Sequence, residues 1–284
     1  MRGHCSSSRG FSPLLFALAV CGALALPGCG DATSASSAAA LAVSESTALG
    51  VPRERSVPLG NGKISLVLEF IPKGEFSMGT ATSKSIEDEA PHRVVLDHSF
   101  YMAKTELTQA QYSAVIGTNP CSFMGADLPV ENVTWDEAAE YCKKVSELLH
   151  ETVRLPTEEE WEYACRAGTT SEYYTGSDEA ALAKAAWYSA NSQERTHAAG
   201  HLAANAWGLC DLHGSVWEFC LDQRIVPIPD PKDPSKKTNT DCRMLRGGSW
   251  MDQPGDCRAA SRTLVQRNFR NPNIGFRVVV ELKK

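Results

Sequence analysis

The 284-residue chain reads as a loop-rich α+β protein of short helices and small antiparallel sheets. Three observations predict that class. Apolar alternation marks strands near both ends of the folded part, helical signals are confined to a few short central segments, and long Gly-, Pro-, Asn- and Asp-rich stretches separate them. The composition, 43% hydrophobic and 22% charged, supplies a sizeable core and excludes a wholly disordered or fibrous protein.

The first residues speak for export rather than folding. Arg2 and Arg9 lead into the apolar run Leu14 to Leu26, too short to span a bilayer as a standard helix and suited to a signal peptide over residues 1–28. The run ends in Leu26-Pro27-Gly28-Cys29, which resembles the lipobox of bacterial lipoproteins. That resemblance implies that Cys29 is lipidated, becomes the mature N-terminus and anchors the protein to a membrane of the bacterial cell envelope, on the periplasmic or the outer face. Residues 29–60 contain "DATSASSAAALAVSESTALG", Ala/Ser-rich, without aromatics and without a periodic apolar face, and read as a tether. Beyond residue 28, 26 basic side chains face 34 acidic ones and no basic cluster stands out, so nucleic acid is not an expected partner.

The remaining residues, 61–284, read as one domain. Ile64 to Thr80 alternates around Lys73-Gly74 and predicts a β-hairpin. His92 to Thr108 continues as strand and ends where Thr108 can cap a short helix, "QAQYSAVI". Thr134 to Leu149 opens with a capping Thr and acids in the first turn, and Pro156 to Gly168 carries Thr157 and Glu160 at capping-box spacing. Beyond Gly168 periodicity fades until a final strand, Ile274 to Leu282. Loops of such length need a further stabiliser, a metal, disulfides or a functional demand. Outside the signal and Cys29 there are seven cysteines, an odd number, so an oxidising compartment predicts disulfides with at least one thiol left over; none has C-x-x-C spacing.

"PVENVTWDEAAEYC", "RLPTEEEWEYACRAG", "NAWGLCDLHGSVWEFC", "RGGSW" and "NIGFRV" occur in the order and spacing of the formylglycine-generating-enzyme, or sulfatase-modifying-factor, domain. The resemblance covers about Ile64 to Leu282 and implies a fold similar in topology to a C-type lectin. In the founding enzyme two thiolates just after a Gly-Gly-Ser turn hold copper(I), and oxygen activated there converts a substrate cysteine to formylglycine. Here the turn is Gly247-Gly248-Ser249, the first copper cysteine falls on Asp252, and the second falls on Cys257 or leaves it outside the site, depending on the direction of alignment. Either way the pair is missing, and a carboxylate is a poor ligand for copper(I). Cysteine-to-formylglycine oxidation and a copper cofactor are therefore not expected.

The resemblance also implies a calcium ion in the turn before the Trp-Glu pair, held by Asp211, Gly214, Val216 and Glu218, a hard oxygen set of two carboxylates and two backbone carbonyls. A second calcium position would begin at Asn191 and Ser192, but its downstream segment is absent. Cys142 and Cys165 match positions that form disulfides in the family, yet their partners fall on Val278 and, for the other, Ala259. Cys220 and Cys257 both lie beside the former copper segment, and a disulfide between them is the favoured pairing. Ser249 lacks the second glycine of a nucleophile elbow and reads as a turn hydroxyl. His197 and His201, four apart, sit in a Gly/Ala pattern that argues for a loop, and the run Ile86 to Arg93 reads as a solvated acidic loop. The resulting expectation is a calcium-stabilised binding module for a protein, peptide or glycan ligand. The alternatives are an oxidase with a changed metal site built from Asp252, Cys257 or His213, acting on a peptide or small molecule, and a lectin-like carbohydrate binder.

Overall fold

The computed structural model describes residues 29–81, 89–230 and 233–282. The apolar run 14–26 and residues 86–88 of the acidic run lie outside them. Among the described residues no helix is long and apolar enough to cross a membrane.

Chain order begins with α1 (Cys29–Leu49), then β1 (Glu54–Leu59), β2 (Ile64–Ile71), β3 (Gly74–Met78), β4 (His92–Leu96) and β5 (Phe100–Ala103). Three helices follow, α2 (Gln109–Ile116), α3 (Trp135–Leu149) and α4 (Glu158–Arg166), with β6 (Val153–Arg154) between the last two. Each starts at its threonine, and each is a full capping box: Thr108 with Gln111, Thr134 with Glu137, Thr157 with Glu160. After Gly168 come α5 (Glu179–Ala185), β7 (Ala186–Trp187), β8 (His213–Gly214), β9 (Trp217–Asp230), β10 (Asp233–Arg246), β11 (Arg262–Gln266), β12 (Ile274–Gly275) and β13 (Val279–Glu281).

The main sheet has the order β1-β2-β5-β13-β6 and is entirely antiparallel, with the final strand inserted between β5 and β6. A second sheet, β11-β10-β9-β12, carries the long β9/β10 hairpin. The core between and around them is aromatic, with Phe70, Phe100, Tyr101, Tyr141, Trp161, Trp207, Phe219 and Phe276 fully enclosed. Tyr112, Tyr141 and Phe276 join α2, α3 and the segment that follows β12 through one stacked and two edge-on contacts.

Four expectations are corrected. β2 and β3 form, but not as a hairpin: β2 pairs with β1 and β5 on its two edges, so β3 pairs with β4 in a separate ribbon. The sheets are not purely antiparallel, since β12 runs parallel to β9 and β7 parallel to β8. The stretch read as a tether is instead helix α1 followed by β1, which makes residues 29–60 part of the fold. Ala38, Ala42 and Ser46, spaced by four, form its buried seam. Trp207 Nε1 donates to the Ala38 carbonyl (2.9 Å), and Ser99 Oγ to the Glu45 carboxylate. The buried seam is built from the same Ala and Ser that cover the exposed side of the helix, so no apolar period stands out along the chain. Lastly, all seven cysteines between Cys121 and Cys257 are free thiols. The Cys220–Cys257 pairing is not made: Cys220 belongs to the main core, whereas Cys257 belongs to a separate cluster with Tyr173, Leu182, Ala186 and Tyr188.

Candidate functional site

The turn from Asp211 to Glu218 is wound unusually tightly. Asp211, Gly214 and Ser215 all have left-handed backbone (φ 59°, 71° and 59°), a conformation that costs any residue but glycine energy. At Gly214 a Cβ would run into the Trp187 carbonyl oxygen, so the β7/β8 pairing demands glycine there. The turn delivers two carboxylates to the interior. Glu218, at the start of β9, is fully enclosed and spends both oxygens: Arg277 Nε and Nη2 donate to them at 2.7 and 2.8 Å, and Trp161 Nε1 donates at 2.7 Å. Three of the sequence motifs, on α4, on β9 and before β13, thus meet in one ion pair. The Arg277 guanidinium completes its bonds on backbone carbonyls, Ala103 (3.0 Å), Lys104 (3.2 Å) and Cys210 (2.9 Å).

Asp211 is the less satisfied group. One oxygen accepts from the Gly200 N–H (2.5 Å), and Oδ1 is buried without a hydrogen-bond partner. Burial pushes its carboxyl above the usual range, with the Gly200 N–H pulling the other way. Glu106, just before the α2 cap, is fully enclosed beside it and has no partner for either carboxyl oxygen. Burial first, then the neighbouring Asp211 and Glu218 charges, raise its carboxyl well above normal. Three carboxylates therefore share one guanidinium. Nothing in the sequence pointed to Glu106, because a glutamate two residues before a capping threonine looks like ordinary solvated helix preamble.

Hard oxygen donors and an excess of buried negative charge suit a divalent cation such as calcium. Of the expected set, Asp211 keeps one buried oxygen without a donor, beside Glu106, while Glu218 is already committed to Arg277 and Trp161. Among the described residues no three His, Cys, Asp or Glu side chains converge as a ready-made cluster, so any cation here draws on backbone carbonyls as well.

The former copper segment is closed. Gly247 and Gly248 are left-handed (φ 101° and 76°), and a Cβ on Gly248 would sit 2.7 Å from the Cys257 sulfur. Ser249 is fully buried. Its hydroxyl donates to Asp252 and accepts from Asn273 Nδ2 (3.1 Å), and Trp217 Nε1 donates to the same Asp252 oxygen (2.8 Å). Burial raises the Asp252 carboxyl and these two donors hold it down, which makes it a fixed acceptor at the base of a turn. Cys257, in the 3-10 turn Pro254–Cys257, is fully buried, and burial pushes its thiol far above the normal range, so it is neither a thiolate nor accessible.

His213 is equally spent. The Cys257 carbonyl can only accept, so Nδ1 donates to it (2.7 Å), and Nε2 accepts from the Tyr174 N–H (3.1 Å). Burial lowers its pKa to about 3, leaving a neutral ring against Tyr173 and Tyr174. His197 stacks on Trp187 at 3.9 Å and bonds the Ser192 carbonyl, while His201 is exposed, so the two do not form a site. Asn191 uses its amide on its own turn, through Tyr188 and Ala186. Two cavities, of about 540 and 410 Å³, flank α1, and neither is lined by Asp252 or Cys257.

A mixed fold of small sheets and short helices, held by enclosed aromatics and ion pairs rather than by long regular elements, is the loop-rich, C-type-lectin-like architecture. The chain belongs to the sulfatase-modifying-factor family: the Sulfatase-modifying factor enzyme 1-like domain matches residues 66–282. A relative from Paenibacillus barcinonensis, "Chaperone protein LppX", is 29% identical over 270 residues, covering 78% of this chain and 91% of its own. The "Formylglycine-generating enzyme" of Streptomyces coelicolor is 31% identical over 170 residues, 52% of this chain and 51% of the enzyme. Among solved structures, Treponema denticola variable protein 1 superposes with a TM-score of 0.72 at 27% identity, over 82% of this chain and all of that one.

Proposed function

We propose that this is an exported protein, lipid-anchored through Cys29 in the bacterial cell envelope, whose sulfatase-modifying-factor domain works as a calcium-stabilised binding module for a protein, peptide or glycan. The observation that carries the reading is the state of the copper segment. At the position of the first thiolate stands Asp252, tied down by Ser249 and Trp217, and the nearest thiol, Cys257, is enclosed among Tyr173, Tyr188, Leu182 and Ala186. Copper(I) needs accessible soft sulfur, and no thiolate is offered there. Of the relatives matched over most of both chains, one carries the name of a chaperone and others that of formylglycine-generating enzyme. Supporting calcium are the buried, donor-less oxygen of Asp211 and the gathering of buried acids around Arg277.

The test is metal analysis of the purified protein together with oxygen consumption in the presence of copper(I) and a cysteine peptide. Calcium alone, with no oxygen uptake, is the expected result. Stoichiometric copper or iron with turnover would refute the binding-module reading in favour of an oxidase acting on a peptide or small molecule.

A further inference from the structure

Helix α1 carries a face that the rest of the domain leaves uncovered. From Thr33 to Leu49 every exposed position is uncharged, and Leu41, Val43 and Leu49 are 45, 47 and 53% exposed. A water-facing helix side ordinarily carries charges. The one charge in that span, Glu45, is partly buried and accepts from Ser99 Oγ. Alongside, α1 and the β3/β4 ribbon flank the cavity of about 410 Å³, an open groove with Leu41, Phe76, Tyr163 and Trp207 on its walls. On the ribbon Val95 is 54% exposed, and across from it the Glu75 charge is met by Arg93. The groove starts beside Ser34, whose carbonyl packs on Gly168. Because α1 is continuous back to Cys29, five helical residues, about 8 Å, separate that contact from the cysteine. A free coil of residues 29–60 would leave the domain about 30 Å of play, and the docked helix removes it.

We infer that the outer side of α1 and the groove between it and the β3/β4 ribbon form the surface on which the domain rests against the lipid bilayer. This rests on the reading of Cys29 as the lipid anchor and adds to it a fixed contact face. Held this close to a membrane, the domain has to turn one side to the headgroups. A side without net charge gives up the least hydration there, and Leu41, Val43 and Val95 exchange water for the acyl boundary. Each of these contacts is weak alone, but the anchor makes them intramolecular, so effective concentration holds the face down. The loop bearing Met124, 68% exposed, and the turn bearing Trp250 border neither cavity beside α1 and stay outside the contact.

The experiment uses the full chain, expressed with its export signal and reconstituted into vesicles of phosphatidylethanolamine and phosphatidylglycerol that contain a lipid with a nitroxide on its headgroup. A fluorophore is attached to V95C or to M124C, with the labelling of the wild type subtracted, and the mass of the Cys29 peptide is measured on the same material. Both label sites belong to the body of the domain, so neither follows the membrane merely by being close to the anchor in sequence. Quenching of V95C by at least about half, with M124C unchanged, is the expected result, because a side chain at the headgroup and acyl boundary lies within collision range of the nitroxide. Equal quenching at the two positions, stronger quenching at M124C, or none at either would overturn the inference while leaving the anchor intact. A Cys29 peptide of unmodified mass would overturn the anchor reading and the inference with it.

Discussion

Docking of α1 can be tested at Gly168. This residue follows α4 with φ +88°, and a Cβ there would lie 2.6 Å from Ala38 Cβ and 3.0 Å from the Ser34 carbonyl oxygen, both on α1. Alanine therefore carries two costs, about 1–2 kcal/mol for a left-handed non-glycine residue and about 1–3 kcal/mol for forced overlap. What holds α1 is modest: two buried alanine methyls at about 0.8 kcal/mol each and the Trp207 and Ser99 hydrogen bonds at about 1 kcal/mol each. The overlap alone is comparable to this hold, so G168A should release α1 before the body of the domain unfolds. Gly117, with φ +86° and open space around its missing Cβ, isolates the conformational cost. Hydrogen exchange read by mass spectrometry over residues 33–49 should accelerate about 30-fold in G168A, the equivalent of about 2 kcal/mol, and stay unchanged in G117A. Wild-type amides in 33–49 that already exchange as a free chain would refute the docked helix and restore the tether.

Removing one member of the enclosed Arg277–Glu218 pair should be severe. R277M is expected to lose about 3–5 kcal/mol in urea unfolding, and R277M/E218Q to recover part of it; equal stability of the single and double variants would contradict the pairing. Iodoacetamide without reductant should leave Cys257 unlabelled in the native protein and label all seven cysteines from Cys121 to Cys257 in denaturant, by peptide mass spectrometry; a Cys220–Cys257 disulfide would show as two missing labels. His98 bonds Asp97 (2.9 Å) and lies 3.2 Å from Glu160; the hydrogen bond to Asp97 raises its pKa, burial opposes this, and the hydrogen bond and charge of Glu160 add to the rise, so the net shift is upward. A raised histidine contributes stability that is present below the unfolded value of about 6.5 and is lost as pH rises through the folded value. H98N should therefore flatten the fall in melting temperature above about pH 6.5, and an unaltered pH profile would count against the interaction.

The three capped helices were legible because a cap is a local device: Thr108, Thr134 and Thr157 meet their partners three residues on, whatever the rest of the chain does. The family motifs were legible for the same reason, as short strings with internal spacing. The missing copper pair was also a fact of sequence, since no fold can turn Asp252 into a thiolate. The β9/β10 hairpin was missed because Pro227 and Pro229 broke the strand signal; both sit on the arm of β9 that reaches past β12, where β10 is its one paired neighbour among the described residues and proline is tolerated. Only the tertiary structure decided that an Ala/Ser-rich stretch docks as α1, because its seam of Ala38, Ala42 and Ser46 depends on Gly168, far along the chain, leaving room for it. It also decided that Cys220 and Cys257 lie in separate apolar clusters, and that Glu106 stands beside Asp211 with no partner. Residue identity sets which chemistry is possible, whereas burial and pairing across the chain set which groups are free to perform it, and those are properties of contacts that no local spacing records.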